Sequence, residues 1–147
     1  MALLAVSGVL ASLSAPMVWD SSRIDPASWP SALVFYRQLE ARNEDFRLLR
    51  ELIEHVNGRP YAASLACATS GTALLVLPRS RLDANAKAAW VDEAVRVDVD
   101  LGGTTRLIPH DPRAASTATF ATDGRVLARA FERFLEKEKW FEQNRPA

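Results

Sequence analysis

The side chains able to do chemistry are few and scattered along the chain. Asp98 and Asp100 come nearest to a metal-binding pattern. Two carboxylates at alternate positions of an extended segment share one side, ~7 Å apart by strand rise, and with Asp92 or Glu93 nearby they are the candidate ligands for a magnesium or calcium ion. A strand with one solvated side carries charges at the same positions as a matter of course, and Arg96 stands beside both as a neutraliser. The sequence therefore assigns no metal and no cofactor.

His110 and Asp111 are the candidate catalytic pair, since an imidazole oriented by a carboxylate activates a hydroxyl or thiol, and the segment around them is rich in Ser and Thr. Adjacent residues rarely reach that geometry, however, Asp111-Pro112 is an ordinary turn pair, and no Gly-x-Ser-x-Gly elbow occurs. His55 falls in the last turn of an expected helix, where the C-terminal dipole favours an imidazolium. Cys67 sits in an apolar run, where burial raises a thiol pKa and removes reactivity. Thr69-Ser70-Gly71-Thr72 lacks the Gly-x-x-x-x-Gly-Lys spacing that wraps amides around phosphate and reads as a turn. No basic stripe accompanies the four tryptophans, so they read as packing residues and not as stacking platforms for bases.

Composition narrows the partners. The 18 basic side chains balance 18 acidic ones without a like-charge block, which argues against nucleic acid and against a polybasic membrane patch. One cysteine cannot form an intrachain disulfide, so the cytoplasm is the expected compartment. At 147 residues and 48% apolar the chain is long enough for one core, and residues 1–147 are expected to form a single globular domain. Met1 to Ala15 partly resembles a signal peptide, but no Lys or Arg precedes its apolar run, and it is too short to cross a bilayer. It is expected to be a buried strand, hairpin or helix.

The elements that would position these residues follow from periodicity. Residues 16–30 carry three prolines and read as a loop pinned by Trp19, Ile24 and Trp29. Phe35, Leu39, Phe46, Leu49, Ile53 and Val56 form one helical stripe, with Asn43-Glu44-Asp45 as a fresh N-terminus inside it and Asn57-Gly58 and Pro60 as its end. Tyr61–Thr69 and Thr72–Leu77 flank the Ser70-Gly71 turn as a hairpin buried on both faces. A helix over Arg81–Ala94 is expected next, with a capping box of Ser80 and Asp83. Val95–Leu101 alternates strictly, and Gly102-Gly103 turns it into Thr104–Ile108, which Pro109 ends. Residues 109–121 read as a flexible loop, with room for a short strand over Thr117–Phe120. Thr122 and Asp123 cap a last helix with Leu127, Phe131, Phe134 and Leu135 inward and Arg125, Arg129, Arg133, Glu136 and Lys137 outward, docked at its end by Trp140 and Phe141.

The expected fold is α+β: a single antiparallel sheet of two hairpins, with an N-terminal strand as a further option, covered by about three helices. In element order alone this resembles type III secretion chaperones and roadblock or longin domains, which implies that a homodimer is open to it. A complete core without converging polar residues implies a non-enzymatic protein-binding module, of immunity, chaperone or adaptor type. The alternative is a small hydrolase or metal-dependent phosphoryl-transfer enzyme using Asp98 and Asp100 or His110 and Asp111.

Overall fold

The structure, a computed structural model, describes residues 24–82, 86–100, 104–109 and 119–140. The Met1–Ala15 run, Trp19, Asp83, the Gly102-Gly103 turn, most of the 109–121 loop and Phe141 lie outside those residues.

Ser28 starts the first helix, α1 (Trp29–Arg42): its hydroxyl accepts from the Ser31 N–H at 3.1 Å and the Ser31 hydroxyl accepts from the Ser28 N–H at 3.0 Å. Asn43 then turns extended, and its Oδ1 accepts from the Asp45 N–H at 2.9 Å, which opens a 3-10 turn leading into α2 (Arg47–Asn57). The long stripe is thus two helices broken at the expected cap. The stop of α2 differs from expectation in its means, because Gly58 keeps a negative φ of −92° and Pro60 ends the helix by opening a second 3-10 turn, Pro60–Ser64.

Beyond that turn come β2 (Leu65–Ser70) and β3 (Ala73–Pro78), joined at Gly71, whose φ of +60° a side chain would oppose. The helix expected from Arg81 is shorter, α3 (Ala86–Asp92). It is followed by β4 (Val95–Asp100), β5 (Thr104–Ile108), β6 (Thr119–Ala121) and α4 (Gly124–Glu138). Asp123 caps α4 by accepting the Arg125 N–H at 2.7 Å. At its far end Lys139 adopts a left-handed φ of 57°, and the Trp140 N–H reaches back to the Leu135 carbonyl at 3.0 Å. The Trp140 ring meets Phe134 edge-on at 4.9 Å between centroids, and this contact holds Lys139 in a conformation more usual for glycine.

The strands pair antiparallel in sequence order, β1 through β6, as one sheet. Its first edge, β1 (Asp25–Ala27), falls in the segment read as a proline-rich loop, and both edge strands are only three residues long, which limits edge-to-edge association. The two faces are covered unequally. Leu49, Ile53, Leu127, Phe131 and Leu135 of α2 and α4, with Trp29, Leu33 and Tyr36 of α1, pack on Leu65, Cys67, Leu74, Val76, Val97 and Leu107. On the other face α3 places Ala89 and Trp90 against Ala66, Ala68, Leu75 and Leu77. Small side chains on β2 make room there for the indole.

Thr105, fully buried on the three-helix face, has a hydroxyl without a hydrogen-bond partner. Thr105→Val removes that orphan and should raise stability by about 1 kcal/mol. An unchanged or lower urea midpoint would show that the hydroxyl is satisfied.

Candidate functional site

Between α2 and α4 runs a groove of about 650 Å³. One face of α2 supplies Arg47, Glu51 and His55 at spacings of four, and α4 supplies Gly124, Arg125, Ala128, Arg129 and Glu132, with Thr122 and Asp123 at its mouth. Amphipathic periodicity puts these residues there: each lies at the border of the apolar stripe that its helix buries.

Glu132 is the hub. Its Oε2 accepts from the Tyr61 hydroxyl at 2.6 Å, lies 2.9 Å from His55 Nε2 and 3.3 Å from Arg59 Nε. Burial alone would raise this carboxyl, but the hydrogen bonds from Tyr61 and His55 and the nearby charges of His55 and Arg59 outweigh it and hold Glu132 below the usual glutamate range. Burial, reinforced by Glu132, pushes the Tyr61 phenol up, so Tyr61 serves as a donor and not as a nucleophile. Four side chains from α2, the turn after it and α4 are tied into one cluster.

At the other end of the groove Glu51, paired with Arg47 at 3.3 Å, lies against Gly124 so closely that a Cβ there would collide with its carboxylate. The carboxylate stands at the N-terminus of α4, where the helix dipole favours negative charge. A side chain at position 124 would push the flexible Glu51 carboxylate aside from the helix N-terminus.

A depressed carboxyl stabilises the fold when ionised. The Glu132 contribution is therefore complete above the ordinary value of 4.5 and fades as pH falls through the lower folded value. Wild type and Glu132→Gln should differ in urea midpoint at pH 7, and the gap should narrow as pH falls below 4.5; a gap that stays constant through that fall would remove the cluster as the cause.

No family model, curated protein or solved structure matches this chain.

The residues singled out by sequence do not converge on the groove. Asp98 lies on the opposite face of the sheet, since its neighbours Val97 and Val99 face the three helices. The solvated face expected for it is not found: Asp98 is 3% exposed, held by Arg106 of β5 through bonds of 2.9 and 3.2 Å and by Arg96 at 3.4 Å. The cause is register, which sets Asp98 directly opposite Arg106. A cation at Asp98 would have to displace a guanidinium. The side chain of Asp100, and His110 and Asp111 entirely, lie outside the described residues. Among the described residues no three His, Cys, Asp or Glu side chains gather at metal-binding distance.

Cys67 is buried, donates to the Ala27 carbonyl at 3.4 Å, and burial pushes its thiol up to about 12, which fits an inert core cysteine. The hairpin turn falls one residue later than Ser70-Gly71, at Gly71-Thr72, because Ser70 pairs with Ala73 as the last residue of β2, and Tyr36 Oη donates to the Ala73 carbonyl beside it at 2.8 Å. No described helix is long and apolar enough to cross a membrane.

The pairing of His55 with Glu132 was missed at the sequence level, because 77 residues separate them. The available signal was positional. Each stands next to a core residue, Val56 or Phe131, on the polar border of a strongly amphipathic helix.

Proposed function

We propose that the protein is a non-enzymatic binding module that acts by holding another protein, as cytoplasmic immunity, chaperone and adaptor proteins do. One observation carries this reading: among the described residues, the carboxylates that could run a reaction are engaged in structural bonds. Glu132 is shared among three donors, Glu51 is set against Arg47 and the α4 N-terminus, and Asp98 is clamped by two arginines. What the surface offers beyond them is an open groove rimmed by charge and several exposed apolar side chains, among them Phe120 and Val126.

A photo-crosslinking residue placed at Ala128, on the floor of the groove, should trap one discrete protein in the producing cells. The purified partner should then bind at one-to-one stoichiometry by calorimetry. A control position across the sheet, the exposed Asp92 of α3, should not trap it. Identical adducts from both positions, or none from Ala128, would defeat the reading; a self-adduct would make the partner a second copy of the chain.

The second reading, a small hydrolase, draws on His55, an imidazole oriented by a carboxylate in a groove that also holds the Thr122 hydroxyl. It requires a nucleophile within reach of the imidazole. Turnover of simple esters or phosphoesters that His55→Ala abolishes would establish it.

A further inference from the structure

The outer surface of α4 carries a pattern the fold itself does not use. Arg125, Arg129, Arg133 and Lys137 recur at intervals of four, all four are exposed, and none of their side chains makes an ion pair or hydrogen bond among the described residues. Elsewhere Arg37, Arg47, Arg50, Arg59, Arg81 and Arg106 each hold a carboxylate. Like charges four apart on a helix repel, so this row weakens α4 in the isolated chain. An uncompensated row of this kind fits a partner that supplies the compensation.

The geometry narrows the partner. Steps of four residues rise ~6 Å each, so the cationic heads form a ridge ~18 Å long. Because four residues overshoot a full turn, the ridge crosses the outer face obliquely, from the α2 groove, which Arg125 and Arg129 line, to a cleft of about 200 Å³ on the other side, which Arg133 and Lys137 line. Beside it runs an apolar row at the same spacing: Val126, 48% exposed, then Ala130 and Phe134, half-buried. A charged i, i+4 ridge next to an apolar i, i+4 row is the surface that another helix meets with its own i, i+4 ridge, crossing at about −50°. Acidic side chains at the same 6 Å period on that helix would stand opposite the arginines. A polynucleotide fits less well. Asp123, Glu132 and Glu136 flank the ridge and would repel a continuous line of phosphates, whereas discrete carboxylates can be placed between them.

We propose that the ridge Arg125–Arg129–Arg133–Lys137, with Val126 as apolar anchor, docks an acidic amphipathic helix of the partner protein. This inference rests on the binding-module reading and specifies what the module recognises.

Two synthetic helical peptides of equal length and composition test it. One places Glu at i, i+4, i+8 and i+12 beside an apolar row; the other distributes the same residues around the helix. The full-length protein should bind the ridge peptide saturably and at least about tenfold more tightly than its permuted twin, with affinity falling as salt rises. Arg129→Glu with Arg133→Glu should weaken binding about 100-fold, at roughly tenfold per reversed charge. A ridge peptide with Lys at the two facing positions should restore it. Because the two reversals relieve like-charge repulsion at exposed positions, the circular dichroism should be unchanged and the thermal midpoint no lower, which separates lost docking from lost folding. Equal affinity for both peptides, tighter binding of a single-stranded oligonucleotide, or no saturable binding overturns the proposal. If the ridge peptide fails while the Ala128 crosslink still yields a one-to-one partner, recognition stands and the acidic helix does not; if both fail, the reading beneath it goes as well.

Discussion

Asp98→Ala should cost the fold about 3 kcal/mol, against a total of about 5–15 kcal/mol for a domain of this size. The carboxylate is 3% exposed and balances two guanidinium groups, Arg106 through a bidentate pair and Arg96 at 3.4 Å. Removing it leaves the half-buried Arg106 without the counter-charge it faces and takes one partner from Arg96, and that penalty exceeds the worth of the pair itself. Their long side chains can lean toward water, which places the loss near the lower end of what severing a buried pair costs. Asp98→Leu combined with Arg106→Leu should regain most of the loss, because a matched apolar pair needs no counter-charge. Urea unfolding of the three proteins measures this. A loss below about 0.5 kcal/mol for Asp98→Ala would mean that water, not Arg106, solvates the carboxylate.

This buried ion pair also marks how far a single sequence can be read. The alternation over residues 95–101 and the return over 104–108 identify both strands correctly, but a two-residue Gly102-Gly103 turn would pair Leu101 with Thr104. The structure pairs Asp100 with Thr104 instead. A slip of one residue exchanges every partner across the ladder, and only the observed register brings Asp98 opposite Arg106. Helix boundaries were more legible, since Asn43 and Asp123 cap through their own side chains, a local interaction that sequence displays directly. β1 was not legible: Asp25-Pro26-Ala27 has no strand periodicity, and its conformation depends on the free edge of β2 beside it. For the groove, border positions on two amphipathic helices could be read individually, but their meeting depends on how α2 and α4 pack. The arginine row on α4, in contrast, stands openly in the sequence at intervals of four. Its meaning emerges only once the structure shows that no carboxylate of the described fold reaches it.

The buried polar pairs thus follow from register, while the greater part of the stability rests on a sheet covered on both sides, and two neighbouring leucines separate its layers. Leu74 and Leu75 of β3 are both fully buried, but Leu74 belongs to the layer under α1, α2 and α4 and Leu75 to the layer under α3. Leu74→Ala opens a cavity among rigid helical neighbours and should cost about 3–5 kcal/mol. Leu75→Ala is expected to cost about 2–4 kcal/mol, because α3 spans only Ala86–Asp92 and closes over a gap more readily than the larger layer. The side chains share no layer but share a backbone, so the double variant should lose about 5–9 kcal/mol less a coupling of about 0.5–3 kcal/mol, a large part of the stability of a domain this size. Denaturant titration followed by tryptophan fluorescence distinguishes the cases, since Trp90 reports the α3 layer and Trp29 and Trp140 the other. A Leu75→Ala loss under about 1 kcal/mol would show that α3 leaves its face of the sheet open to water. That face would then carry an apolar surface over β2 and β3 large enough to compete with the α4 ridge for a partner.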